Sequence, residues 1–126
     1  MSEPWNIRLG RQAESDYAEI AQWTAKTFGA GQAETYAETV SLAIQALREG
    51  PEIAGAKTRD DIGPGIRTLH VARHGRRGRH FVVFRIGGDQ SIDVLRLLHD
   101  SMDLTRHIAA GNDSPEQRVD RYDSKN

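Results

Sequence analysis

Residues 97–108 read LLHDSMDLTRHI, and twelve positions hold His99, His107, Asp100, Asp103, Arg106 and Met102. Side chains of these types, this close together, suit three kinds of chemistry. An imidazole that titrates near neutrality can act as general acid or base. Imidazoles and carboxylates can ligate a metal. The same residues can also end a strand and cap a helix, with Asp103 accepting the first helical N–H groups and His99 bonding the backbone of the turn that follows it. Spacing argues against the metal. His70 and His74 are four apart on a strand, not neighbours on a helix, and His99 and His107 are eight apart across a strand–helix junction. No closed zinc pattern is present, so no metal and no cofactor are expected. The absence of cysteine excludes disulfide and thiolate chemistry.

The elements that must position these residues follow from periodicity. Trp5–Leu9 alternates apolar and polar residues and predicts a first strand, with Gly10 as the turn or cap. From Arg11 the period lengthens. Ala13, Tyr17, Ile20, Ala21, Thr24 and Phe28 form one helical stripe, and Trp23 lies off it. GAG at 29–31 predicts a break, and a second helix is expected from Gln32 to Arg48, burying Val40, Ala43, Ile44 and Leu47. Its many alanines favour a close helical hairpin. Residues 51–65, with three glycines and two prolines, read as a loop. Ile66–Arg73, Arg79–Ile86 and Gln90–His99 then predict a three-stranded meander, followed by a short helix that Gly111 ends. Met102 and Leu104 are expected to pack under the sheet edge. The polar stretch 112–126 reads as a flexible tail after a single domain over 1–111. The order β-α-α-β-β-β-α is that of an α+β protein, an antiparallel sheet with the helical hairpin on one face and the other face partly open.

Charge is unevenly spread along a chain whose formal net charge is only −1. Residues 51–107 carry ten basic groups against seven acidic ones, whereas residues 1–50 carry four against seven. The excess is mostly arginine, whose planar fork suits carboxylate or phosphate. An acidic partner is therefore expected. No apolar run is long enough to span a membrane, and no leader pattern opens the chain, so a cytoplasmic protein is expected.

Four segments together resemble the ParE toxins of bacterial toxin–antitoxin pairs, within the RelE/ParE superfamily. VLRLLHDSMDLTRHI (94–108) is similar to the family's ending, where a strand with Arg and Leu runs into His, Met-Asp and a final His. GPGIRTL (63–69) resembles its Gly-x-Arg entry to a strand. RHFVVFR (79–85) resembles its Arg-His start to an apolar strand, and YAETVSLAIQALREGPEIAG (36–55) its second helix and Pro-x-x-Gly turn. The likeness runs from about Ile7 to Ile108. Phe84 stands where the family often has tyrosine, Gly10-Arg11 where Ser-Pro is common, and ARHGRRGRH (72–80) is a longer, more basic connection than usual.

The resemblance implies inhibition of DNA gyrase by binding, without catalysis by the toxin, and neutralisation by a ParD-type antitoxin carrying an acidic or amphipathic C-terminal segment. It implies a hetero-oligomer, a role in plasmid stabilisation and no direct sequence-specific nucleic-acid binding. Trp23, Arg67, Arg73, Arg76, Arg77, Arg79, Arg96, His99 and His107 are then the candidate target- or partner-binding residues. The alternative within the superfamily is a RelE-like ribosome-dependent mRNA endonuclease. That chemistry needs cations on the scissile phosphate, a base for the 2′-hydroxyl and an acid for the leaving oxygen. Arg85, Arg96 and His99 are its candidates, although Phe84 cannot transfer a proton and lysine is scarce.

Overall fold

A computed structural model describes residues 3–106. The alternation at the start produces β1 (Asn6–Leu9), in which Ile7 and Leu9 turn toward the core while Asn6 and Arg8 stay exposed. Gly10 follows because the chain passes very close to the sheet. Its N–H donates to the Val94 carbonyl at 2.9 Å, and a Cβ would lie 3.2 Å from the same oxygen. Helix α1 spans Arg11–Phe28 and α2 spans Ala30–Ala46, ending in a 3₁₀ turn at Leu47–Glu49. Gly29 alone separates the helices, at φ 98°, a conformation that glycine adopts without steric cost. The break is thus shorter than the expected three residues: Ala30 and Gly31 are already helical. Phe28, expected on the buried stripe, is exposed. Every residue from Ala25 to Gln32 is exposed, so at the hairpin tip the helical period has no surface to pack against.

The sheet has five strands in the order β1-β5-β4-β3-β2, where β2 is Lys57–Thr58, β3 Arg67–His70, β4 His80–Ile86 and β5 Ser91–His99. The meander β3-β4-β5 is antiparallel, as expected. Two details differ from the sequence reading. β1 joins β5 in parallel, because the helical hairpin carries the chain back before the meander begins, so the sheet is mixed. The Gly/Pro-rich loop also contributes β2, a two-residue edge strand on β3.

Alternation along the strands builds two apolar layers. Leu69, Val71, Val82, Phe84, Ile92 and Val94 face Ala13, Val40, Ala43, Ile44 and Leu47 of the helical hairpin. A fully buried side chain such as Phe84 or Leu69 contributes about 1.5–3 kcal/mol. The opposite face is less open than expected. Val83 and Leu98 are covered there by Ile62, Ile66 and Leu104. Leu104 therefore packs as predicted, whereas Met102 stays exposed. Between these layers lies a β-bulge. Val83 pairs with Arg96 and Phe84 with Val94, which leaves Leu95 as the extra residue of β5.

Candidate functional site: a groove between the helical hairpin and the sheet end

A groove of about 1190 Å³ opens where β4 begins and β5 ends. Its walls come from the inner turns of α1 and α2, the loop 76–79, the end of β5 and the turn after it. Trp23, 62% exposed, and Phe28, 63% exposed, meet edge to face at 5.8 Å along it, and Met102 adds a third uncovered apolar surface. Large apolar side chains left in solvent together mark a contact surface. The expectation that Trp23 stands off the core stripe is met.

Arg96 is held at the base of the groove by α1. Asp16 accepts Arg96 Nε at 2.9 Å and Nη2 at 3.1 Å, and it also accepts the Leu97 backbone N–H at 2.9 Å. Asp16 is buried, so this bidentate pair locks the segment just past the bulge onto the helix. The sequence reading placed Arg96 at an interface; in the structure its fork is taken by Asp16.

The basic connection 72–79 folds onto α2. Arg76 donates to Thr39 Oγ1 at 2.9 Å, the Thr35 carbonyl at 3.3 Å and Glu38 at 3.0 Å. Tyr36 Oη accepts the Arg79 N–H at 2.9 Å. Gly78 is required beside them: a Cβ there would run into Val71 Cγ2 and come within 3.1 Å of Tyr36 Oη. Burial pushes the Tyr36 phenol up from its usual value. Its oxygen lies 2.7 Å from His80 Nδ1, the one acceptor for its proton among the described residues.

His80 and His99 stand opposite each other on β4 and β5, with ring centroids 5.2 Å apart. Burial, and then the neighbouring His99, lowers the His80 pKa to about 4, so its ring is neutral at physiological pH. His99 Nδ1 accepts the Ser101 backbone N–H at 3.1 Å and lies 2.7 Å from Ser101 Oγ. This is the strand-end role expected for it. Across the sheet, His70 Nε2 donates to Asp100 at 2.9 Å while its Nδ1 accepts the Ala72 N–H. Arg79 reaches the same carboxylate at 3.1 Å. His70 first and Arg79 second hold Asp100 below the usual carboxylate range.

The remaining candidates separate. Arg67 donates to the Pro51 carbonyl and faces Glu52, and Arg73 donates to the Ala54 carbonyl at 2.7 Å. Arg77 lines the groove and makes no ion pair or side-chain hydrogen bond among the described residues. Arg85 pairs across from Asp93, at the far end of β4 from His80 and His99. The nuclease candidates Arg85, Arg96 and His99 therefore do not converge. Arg85 lies five positions beyond His80, about 16 Å along a strand. His107, the end of the last helix and the tail lie outside the described residues. Asp103 accepts the Arg106 N–H at 3.3 Å, as an N-cap does. Sequence reasoning did not single out Asp16, Tyr36 or His80, and it gave Asp100 no partner. The off-pattern acid at a buried helix position, Asp16 between Ala13 and Tyr17, was the one visible signal.

Two helices on one face of a mixed sheet, with a groove at the sheet end, define a toxin fold of the RelE/ParE type. Solved structures share it. The chain aligns with a structure titled as the chromosomal ParDE system from P. aeruginosa at TM-score 0.63 and 21% identity, covering 78% of this chain and 98% of that one. It aligns with a YoeB/ParE toxin from Agrobacterium tumefaciens at TM-score 0.53 and 14% identity, covering 75% and 96%. At the level of sequence, the family model for the ParE toxin of type II toxin–antitoxin systems matches residues 7–104. Toxin ParE1 of Mycobacterium tuberculosis is 34% identical over 100 residues, 79% of this chain and 94% of that protein. Toxin ParE1 of Caulobacter vibrioides is 27% identical over 101 residues, covering 80% and 95%. The chain belongs to the ParE toxin family of type II toxin–antitoxin systems.

Proposed function

We propose that this chain inhibits DNA gyrase by binding to it, in the cytoplasm, and that a ParD-type antitoxin neutralises it by laying an amphipathic segment in the groove. The observation that carries the antitoxin half is the exposed Trp23–Phe28 pair beside a groove in a family of paired toxins. Such aromatic surfaces are the anchors that an amphipathic helix or extended segment covers when it folds on binding. Inhibition by binding is supported by the dispersal of the nuclease candidates. Arg96 is tied to Asp16, Arg85 lies at the other end of its strand, and Phe84 is fully buried with no phenol to move a proton.

The test is a gyrase supercoiling and cleavage assay with purified protein, beside an in vitro translation assay. Accumulation of cleaved DNA with translation intact is the expected result. Cleavage of messenger on ribosomes, with gyrase unaffected, would replace this reading by the endonuclease.

A further inference from the structure

Three histidines cluster at the sheet end, and their ring nitrogens are used differently. Each Nδ1 is an acceptor: from Ala72 N–H in His70, from Tyr36 Oη in His80 and from Ser101 N–H in His99. For Tyr36 the direction follows from its proton, which has no acceptor other than His80 Nδ1 among the described residues, while its oxygen takes the Arg79 N–H. With Nδ1 accepting, the neutral ring carries its proton on Nε2. His70 gives that N–H to Asp100. The Nε2 atoms of His80 and His99 have no hydrogen-bond partner among the described residues, and both rings line the groove.

The cations around them are also mostly engaged. Arg76 is held by Thr39 and Glu38, Arg79 by Asp100, and Arg96 by Asp16. Arg77 is left as a groove cation with no ion pair among the described residues. On the wall of this groove two imidazole N–H donors and one guanidinium lack an acceptor among the described residues. We propose that His80, His99 and Arg77 form an oxyanion site in the groove, and that its ligand is a side-chain carboxylate of the antitoxin segment. This rests on the reading of the groove given above. The charge inventory selects a carboxylate over a nucleic-acid backbone. Among the described residues one unpaired arginine and two imidazole N–H donors match a single negative charge, whereas a polyanion would also meet the carboxylates of Asp16 and Glu19 on the same groove. A carboxylate here, with apolar neighbours on Trp23 and Phe28, fixes the register of the bound segment. The long connection 72–79, which supplies Arg77 and is docked by Arg76, becomes the part of the chain that reads the partner.

The experiment uses the full-length ¹⁵N-labelled chain and long-range ¹H–¹⁵N spectra of its imidazoles. Sodium acetate is titrated at constant ionic strength held with chloride. The Nε2 signals of His80 and His99 should move saturably, and those of His70, whose Nε2–H is already held, should not. Arg77→Gln should weaken the response about threefold or more, the size expected for one partly exposed ion pair. No response, or an equal response at all three rings, overturns the proposal. Inorganic phosphate acting at about tenfold lower concentration, with a short single-stranded RNA moving the same signals, also overturns it, because the ligand would then be nucleic acid. Neither antitoxin nor gyrase is needed, so failure here is distinct from failure of the toxin reading.

Discussion

The carboxylate of Asp16, on α1, closes a bidentate pair with Arg96, on β5, at 2.9 and 3.1 Å, and the same carboxylate takes the Leu97 backbone N–H. One buried acid thus satisfies three donors at the point where the bulge turns β5 toward the groove. Asp16→Ala leaves a half-buried guanidinium and a buried N–H without an acceptor. The expected loss is about 3 kcal/mol, read from urea unfolding. A loss below about 1 kcal/mol would mean that the pair behaves as an ordinary surface salt bridge.

Gly78 permits the basic connection to lie against Val71 and Tyr36. Gly78→Ala should cost about 1–3 kcal/mol through overpacking, and the Tyr36–His80 hydrogen bond should loosen with it. Thermal unfolding gives the first quantity. The second is seen as a rise in the His80 pKa by NMR titration, as the ring becomes more hydrated.

Trp23 and Phe28 contribute little to the fold, being mostly exposed. Trp23→Ala should change stability by less than about 0.5 kcal/mol, yet weaken antitoxin binding at least about tenfold if the groove is the contact surface. Calorimetry of binding beside chemical unfolding separates the two effects. Equal affinity in the variant would place the antitoxin elsewhere.

His80 gives stability a definite pH dependence. In the folded chain it stays neutral down to about pH 4, whereas an unfolded histidine takes up its proton near 6.5. Between those values the unfolded state binds more protons, so stability falls as the pH drops from about 6.5 to about 4. The ring is only half-buried, so the loss is on the order of 1–2 kcal/mol after allowance for solvent screening. His80→Asn keeps an acceptor for Tyr36 and should flatten this part of the profile. Asp100 acts in a lower window: its depressed pKa favours the fold above the usual carboxylate range, and that contribution is lost as the pH falls further.

Arg76 and Arg77 are neighbours with opposite expectations. Arg76→Gln removes three hydrogen bonds to α2 and should destabilise by about 1–2 kcal/mol. Arg77→Gln should leave the unfolding midpoint unchanged. Comparable destabilisation by both would show that Arg77 also holds the loop.

The amphipathic period of α1 and α2, the alternation of β3–β5 and the turn residues between them were legible in the sequence, because local periodicity reports directly which face of an element is buried. So was the outward placement of Trp23, and so was the turn-bonding role of His99, which depends on residues two positions away. What the linear order could not convey is which charges neutralise one another. Arg96 and Asp16 are eighty positions apart, and Arg76 and Glu38 thirty-eight. A run of arginines therefore reads as a patch awaiting a partner, although most of its forks end on acids and carbonyls of the same chain. The parallel seating of β1 and the covering of the second sheet face by Ile62, Ile66 and Leu104 are likewise products of topology. Secondary structure follows from contacts a few residues long, which the sequence by itself determines. The groove, and which of the described donors and arginines on its wall are left uncommitted, follow from long-range pairing, which only the tertiary structure decides.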